Sequence, residues 1–480
     1  MIIIKKIIDR YLDYIYWILS FILSLLILFF PSIIKYDQYL FFSAIIIIFY
    51  AAFTIVYLTI KIKMKLFTVL CFFLIFLLMF NYGNLFVNFI NSDYDYSVFD
   101  FLHYYHDESN IKAIQYSYIT INFIILGLCL FHKNNINLIK KINNSKFLGI
   151  KNKLNVNKKY LRIYSILIIL ISLPIELYIN LNKLYIGFTQ GYIATYDFNI
   201  SGILIQISKF YIIGFILLAI SYFNESKRKS YFLFLLLLFY QILIMMSGNR
   251  GYQVITICIL AIIFFSEYAT LDKKKFLLLI FLSILLLFFV TGISKIRNEG
   301  YTSIDDFLNS LIQIKNNPLI SVFDEFGFTL YTLSLTIDQV PAITPYAHGL
   351  TFIGSFSSVF PNISESINNA INFSNFVIHL NGGSIGGSII AELFYNFSYF
   401  GCFFGIFIGY IVSFLSLSLS KALESRNYFF LSFLILPSIS LLWWIRDSFL
   451  NIPRMLVYSI VFLLLSYFLT IILSNRKWKK

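Results

Sequence analysis

The chain has 480 residues, of which 59% are hydrophobic, 20% aromatic and only 12% charged. Soluble domains carry about a quarter charged residues, and the apolar runs here are continuous instead of alternating, so a soluble domain and a strand-based membrane fold are both excluded. The net charge of +14 does not indicate nucleic acid binding. Lysine and arginine cluster in short segments between the apolar runs, as they do in membrane proteins.

Apolar runs long enough to cross about 30 Å of hydrocarbon as helices recur along the chain. They predict an all-α polytopic membrane protein with twelve spans. In chain order the predicted spans are 14–30, 39–60, 66–90, 113–131, 160–182, 204–223, 231–246, 252–269, 276–294, 388–417, 428–445 and 455–473. If the N-terminus is cytoplasmic, the inner segments hold 27 of the 37 lysines and arginines. The positive-inside rule therefore predicts that both termini are cytoplasmic.

The spans divide the chain into three parts. Residues 1–294 contain spans one to nine, residues 295–387 form a long extracytoplasmic loop, and residues 388–480 contain spans ten to twelve. The other outer segments are short. An apolar stripe within 303–312 predicts a helix that lies on the membrane surface or against the bundle.

Four arginines stand at span ends on the outer side, the side that is poor in positive charge: Arg250, Arg297, Arg446 and Arg454. An arginine at this depth can simply extend to lipid head groups. Its planar fork of donors also suits bidentate contact with phosphate, and the glycines in "SGNRG" would let a phosphate approach the backbone. The pattern predicts a diphosphate site at the outer leaflet.

Carboxylates form a second group near the same side. Asp324 and Glu325 in "FDEFGFTLYTL" and Glu392 in "GGSIIAELFYNF" lie in otherwise apolar runs. An acid in such a place is costly unless it is paired or useful. Two interpretations stay open, namely an ion pair with one of the arginines or a base that accepts a proton from an attacking sugar hydroxyl.

No metal or nucleotide site is predicted from the motifs. "HYYHDE" (103–108) has two histidines spaced for one helical face, but a solvated loop is the simpler interpretation. The sequence has no P-loop and no dense chain of charges within the spans, which argues against an ATPase and an ion-driven transporter. Gly401, Gly405 and Gly409 recur at every fourth position and predict close packing between helices.

Several stretches between residues 240 and 450 occur in an order that resembles a known family. They are "SGNRG", "SKIRNEG", "FDEFGFTLYTLSL", "PYAHGLTFIGSFSSVFPN", "GGSIGGSIIAELFYNFSYFGCFFGIFIGY" and "WWIRDS". Their order and their common side resemble the Wzy-type O-antigen and capsule repeat-unit polymerases. "AELFYNFSYFG" is close to that family's AE-x-Y-x-NFG-x-x-G pattern, with Ser398 where a glycine is usual.

The resemblance implies a metal-independent glycosyltransferase of the membrane-embedded C type that uses no cofactor. It implies a location in the bacterial cytoplasmic membrane, an extracytoplasmic active site, and transfer of a glycan from undecaprenyl diphosphate to the non-reducing end of another lipid-linked unit. A chain-length regulator is a further expected partner, and nucleic acid is not. Two alternatives stay open: an O-antigen ligase of similar architecture, and a polysaccharide flippase or transporter.

The resemblance also suggests roles for eight residues. The expected diphosphate ligands are Arg250, Arg297 and Arg446, with Arg454 as a further candidate; the candidates for base or sugar positioning are Glu325 and Glu392; the candidates for sugar contact are His348 and Asn396.

Overall fold

The computed structural model describes residues 2–144, 158–267, 317–360, 371–381 and 385–475, apart from positions 93, 95, 97, 98, 199, 224 and 249. All regular structure in these residues is helical, which confirms the all-α polytopic class. The predicted ninth span, Arg297 and the stripe within 303–312 lie outside the described residues.

The described helices follow the apolar runs in chain order. They are α1 Ile2–Phe29, α2 Tyr36–Lys61, α3 Val69–Ile90, α4 Phe101–Tyr104, α5 Asp107–Asn144, α6 Lys158–Gln190, α7 Gly202–Ser208, α8 Tyr211–Tyr222, α9 Lys227–Met245, α10 Gly251–Glu267, α11 Pro318–Phe326, α12 Thr329–Gln339, α13 Leu350–Gly354, α14 Phe373–Asn381, α15 Ile389–Phe397, α16 Gly401–Glu424, α17 Tyr428–Trp444 and α18 Asn451–Asn475. Within the described part, nine helical segments are long and apolar enough to cross a membrane, and α10 and α17 are shorter apolar helices. Eleven of the twelve predicted spans coincide with these helices.

Polar side chains mark where several of these helices begin. Thr68, Ser226, Ser388 and Asn427 each precede the first residue of a helix and accept a hydrogen bond from a backbone N–H of its first turn. Such capping satisfies donors that have no partner inside the helix. The apolar runs therefore become helices with defined ends.

The centre of the bundle is held by close contact between α5 and α16. A Cβ atom on Gly409 would lie 2.1 Å from the carbonyl oxygen of Ile124, and one on Gly127 would lie 2.2 Å from that of Ile406. Only residues without a side chain allow the two backbones to come this close. The predicted packing role of the glycine series is confirmed.

The described part of the long loop also packs into the bundle. A Cβ atom on Gly83 of α3 would lie 2.3 Å from the carbonyl oxygen of Phe323, and one on Gly327 would lie 2.2 Å from the backbone nitrogen of Asn84. The Thr329 hydroxyl donates to the Phe80 carbonyl at 2.6 Å. Helices α11 and α12 are thereby fixed against the last turns of α3.

The helices alternate in direction, so their ends gather at two faces of the bundle. Helices α3, α9 and α17 end at one face, which also contains the cavity described below; we call this face the cavity end. At this face the Ile389 N–H donates to the Ile445 carbonyl at 3.4 Å. At the opposite end, Lys65 and Glu424 lie 3.9 Å apart. Of the residues predicted on the outer side, Arg250, Glu325 and Arg446 lie at this cavity end in the described part of the chain.

The tenth predicted span is broken between α15 and α16 at Ser398. This residue has φ 55° and ψ −147°, a backbone conformation that glycine adopts freely and other residues rarely do. Its hydroxyl donates to the Tyr346 hydroxyl at 3.1 Å. The geometry gives a physical reason for a glycine at this position in the pattern that the sequence resembles.

Candidate functional site

A half-open cavity of about 410 Å³ lies at the cavity end, within the range typical of small-molecule sites. It contains two of the predicted site residues. The residues that line it are Phe99, Glu325, Phe328, Thr329, Tyr331, Thr332, Asn381, Ile385, Gly386 and Arg446. Aromatic rings, hydroxyl groups, one carboxylate and one guanidinium group therefore share one space.

Arg446 is the basic residue among those that line the cavity. Its guanidinium carbon lies 5.8 Å from the ring centre of Phe80 and 6.0 Å from that of Phe326, so aromatic rings support the cation. Among the described residues, no carboxylate forms an ion pair with it. The side chain is half-buried. This is a cation held at a cavity with capacity for an anionic ligand.

Arg250 is placed differently, because it forms a buried ion pair with Glu325. Arg250 is 4% exposed and Glu325 8% exposed. Glu325 lines the cavity, whereas Arg250 does not. The sequence left two interpretations open for Glu325, an ion pair with an arginine or a base. The structure shows the ion pair.

The glycines beside Arg250 are in contact with aromatic rings. Gly248 has φ 93°, and a Cβ atom there would lie 2.6 Å from the Tyr192 ring; one on Gly251 would lie 2.6 Å from the Trp443 ring. The small residues of "SGNRG" thus allow close packing of the turn. The approach of a phosphate to the backbone of these glycines stays a prediction.

Glu392 lies in the first turn of α15 and is fully buried. Its Oε2 atom accepts two hydrogen bonds, from the Trp444 indole N–H at 2.8 Å and from the Phe449 backbone N–H at 2.9 Å. No basic residue in the described ranges forms an ion pair with it. It does not line the cavity.

Asp447 is a carboxylate of "WWIRDS" that is not among the predicted site residues. Its Oδ1 accepts from the Ser374 hydroxyl at 2.6 Å, and its Oδ2 accepts from the Trp443 indole N–H at 2.5 Å and from the Asn451 amide at 2.8 Å. Burial raises the pKa of Asp447, and the hydrogen bonds from Ser374 and Trp443 oppose the rise. In "WWIRDS", the Trp443 indole thus binds Asp447 and the Trp444 indole binds Glu392. Arg446 directly precedes Asp447 in the sequence.

The segment before α15 lies directly on this turn. A Cβ atom on Gly386 would lie 2.9 Å from the Arg446 carbonyl oxygen and 3.2 Å from its Cγ, and one on Gly387 would lie 2.8 Å from the Asp447 carbonyl oxygen. The Thr332 hydroxyl donates to the Gly386 carbonyl at 2.9 Å. The second half of "GGSIGGS" is therefore part of the wall that surrounds Arg446.

Three further predicted residues that the structure describes, Arg454, Asn396 and His348, lie outside the cavity lining. Arg454 donates through Nε to the Ser358 carbonyl at 3.2 Å. Asn396 is buried and donates to the Thr351 hydroxyl at 2.8 Å and to the Glu392 carbonyl at 2.7 Å. His348 is exposed, with φ 48°. The sugar contacts proposed for Asn396 and His348 stay predictions.

Most residues of the cavity wall are not among those predicted from the sequence. Tyr331 and Thr332 belong to "FDEFGFTLYTLSL", so their motif had been noted without a role for them. Phe99 belongs to no motif in the sequence, and Asn381 opens "NGGSIGGS", a motif that gave this side chain no role; the Tyr331 hydroxyl donates to the Asn381 side-chain oxygen at 3.0 Å. Their place in the site is visible only from tertiary contacts.

The fold and site define a polytopic helical membrane protein with a charged cavity at one end of its bundle. The sequence model of the family described as O-antigen polysaccharide polymerase Wzy matches residues 15–477. The chain therefore belongs to this family, which confirms the resemblance found in its motifs. No curated protein and no solved structure matches the chain.

Membership in the family defines the general activity. The protein is a glycosyltransferase-type polymerase that acts on lipid-linked oligosaccharide in a membrane, in the biosynthesis of O-antigen polysaccharide and lipopolysaccharide.

Proposed function

We propose that the protein transfers a growing glycan from undecaprenyl diphosphate to the non-reducing end of another undecaprenyl-diphosphate-linked repeat unit. The observation that carries the proposal is Arg446, a cation without a carboxylate partner among the described residues, at the wall of the cavity. In the reaction, the bond between the sugar and the diphosphate breaks, and the acceptor hydroxyl forms the new glycosidic bond. Negative charge develops on the departing diphosphate.

Arg446 is the proposed ligand of that diphosphate. A guanidinium group offers a fixed fork of donors to phosphate oxygens, and it stabilises developing charge without a metal ion. Arginine is also weakly hydrated and stays charged when partly buried, which suits the half-buried position of Arg446. Arg297 and Arg454 stay candidates for contact with the same lipid.

Glu325 is the proposed base for the acceptor hydroxyl, because it is the carboxylate that lines the cavity with Arg446. Its ion pair with Arg250 fixes the carboxylate in position. Arg250 thus acts on the reaction through Glu325. The aromatic and hydroxyl-bearing wall formed by Phe328, Tyr331 and Thr332 is the proposed contact surface for the sugar next to the diphosphate.

The orientation follows from charge. The predicted inner segments hold 27 of the 37 lysines and arginines, so we place the opposite end and both termini in the cytoplasm and the cavity at the outer face of the bacterial cytoplasmic membrane. The long loop between residues 295 and 387 then lies on the side where the lipid-linked units arrive. A chain-length regulator is a proposed partner on that side.

The proposal is tested by deleting the gene and restoring it as wild type, Arg446→Ala or Arg446→Lys. We expect Arg446→Ala to lose polymer at least about 100-fold and to leave single repeat units displayed, because transition-state charge loses its ligand. Arg446→Lys keeps the charge but loses the fork, and we expect a partial defect. Arg228→Ala, an exposed arginine at the opposite end, is the matched control and should behave as wild type.

Other outcomes would identify other functions. Long lipid-linked chains that fail to reach their final acceptor in the deletion strain would indicate a ligase. Repeat units retained on the cytoplasmic side would indicate a flippase. Wild-type polymer from Arg446→Ala, with normal protein level, would remove Arg446 from the proposed site.

A further inference from the structure

We infer that Glu392 is a positioning residue that holds Arg446 at the cavity, and that it is not the base of the reaction. The inference rests on the proposed role of Arg446. Residues 445–450 connect α17 to α18, and Arg446 lies in this connection. A short connection with a charged side chain needs fixed points on both sides if that side chain is to keep one position.

Glu392 supplies both fixed points through one atom. Its Oε2 accepts from the Trp444 indole, which precedes Arg446, and from the Phe449 backbone N–H, which follows it. The carboxylate therefore spans the connection from one side of Arg446 to the other. Hydrogen bonds to a buried carboxylate are short and stronger than those between neutral groups.

Neighbouring contacts act on the same connection. The Ile389 N–H donates to the Ile445 carbonyl at 3.4 Å, and Gly386 lies against the Arg446 backbone. The start of α15 and the segment before it thus contact residues 444–449 through Gly386, Gly387, Ile389 and Glu392. Glu392 is the side chain among these contacts that can be changed without altering the backbone.

The position of Glu392 argues against direct chemistry. A base must come within about 3 Å of the proton that it accepts, or reach it through one water. Glu392 is fully buried and is absent from the cavity lining, whereas Glu325 is part of that lining. Substrate in the cavity therefore meets Glu325 and not Glu392.

The two roles require different chemistry of the side chain. Positioning needs an acceptor oxygen at Oε2, which a glutamine also provides. Proton abstraction needs a carboxylate, which a glutamine lacks. The pair Glu392→Gln and Glu392→Ala therefore separates the roles.

The variants are compared in a strain that lacks the gene, by the ratio of polymerised to single-unit surface polysaccharide at equal protein level in the membrane. We expect Glu392→Gln to stay within about twofold of wild type, because both donors keep an acceptor. We expect Glu392→Ala to lower the ratio about tenfold or more, since both donors are left without one. If Glu392→Gln lowers this ratio as much as Glu392→Ala does, the inference is overturned.

Trp444→Phe gives a second test that leaves Glu392 in place. It removes one of the two donors and keeps an aromatic ring of related shape. Positioning predicts a polymer ratio between those of wild type and Glu392→Ala. A wild-type ratio for Trp444→Phe would count against the inference, because a base does not need this donor.

A double variant distinguishes action through Arg446 from general structural support. We expect Arg446→Lys to retain part of the activity, and adding Glu392→Ala should then cause little further loss, because the group that Glu392 positions is already changed. A loss equal to the product of the two single effects would contradict the inference. The proposed function fails by a different result, namely wild-type polymer from Arg446→Ala alone.

Discussion

The cavity end of the helix bundle contains a buried ion pair, whereas the ion pairs described at the opposite end are exposed. At the opposite end, Lys61 pairs with Asp13 and Lys421 with Glu424, and the side chains are 27–52% exposed. At the cavity end, Arg250 and Glu325 pair with side chains that are only 3% and 9% exposed. The cavity end also has an exposed pair, Lys112 with Glu108, so burial is what sets the Arg250–Glu325 pair apart.

This difference indicates what the charges do. Exposed ion pairs contribute about 0–1 kcal/mol, so those at the opposite end have little effect on stability. A buried pair carries a desolvation cost, so its presence in an apolar chain favours a function. Arg446, half-buried beside this pair and without an ion-pair partner in the described ranges, strengthens that interpretation.

The largest effect on stability is expected from breaking the buried pair. Arg250→Met removes the arginine of the buried pair with Glu325, and we expect a loss of about 3–5 kcal/mol in the free energy of unfolding. Thermal unfolding of the purified protein in detergent measures it. Adding Glu325→Gln should restore much of the stability but not the polymer. If Arg250→Met is as stable as wild type, burial of the Arg250–Glu325 pair is not what separates the two ends.

A smaller effect is expected from Asp447, which also lies at the cavity end. Asp447→Ala removes the acceptor of three hydrogen bonds, from Ser374, Trp443 and Asn451, and should cost about 1.5–3 kcal/mol. Asp447→Asn keeps an acceptor for the indole and Asn451 and can donate to the Ser374 hydroxyl. We expect this control to unfold within about 1 kcal/mol of wild type. Equal losses in both variants would mean that the charge of Asp447, and not its hydrogen bonds, is required.

The smallest effect is expected at the opposite end. Lys421→Met removes the exposed pair with Glu424 and should change the free energy of unfolding by less than about 1 kcal/mol. The polymer should be unchanged. The same unfolding and polysaccharide assays apply, and a loss as large as that of Arg250→Met would remove the contrast between the ends.

The helices could be predicted from sequence because membrane-crossing length and apolar composition are local properties. The contacts that build the cavity are not local. Thr329 and Phe80, which join α12 to α3, are 249 residues apart in the chain. The glycines Gly83 and Gly327 that allow this contact occur in no repeating pattern, unlike the series in α16.

The roles of the arginines could be predicted only in part. Arg250 and Arg446 both lie in a short segment between two predicted spans, so the sequence does not distinguish them. In the structure one is neutralised by Glu325 and the other lines the cavity. Glu325 and Glu392 also look alike as acids in apolar runs, yet only Glu325 reaches the cavity. Such differences depend on which helices meet, which a single sequence does not reveal.

The central claim is that Arg446 binds the diphosphate of the lipid substrate. The most direct test is the affinity of the purified protein, in lipid nanodiscs, for undecaprenyl diphosphate and for undecaprenyl monophosphate. We expect Arg446→Ala to weaken diphosphate binding about 10–100-fold and to lessen the preference over monophosphate, while Arg228→Ala leaves both unchanged. Equal affinity of wild type and Arg446→Ala for the diphosphate would contradict the account.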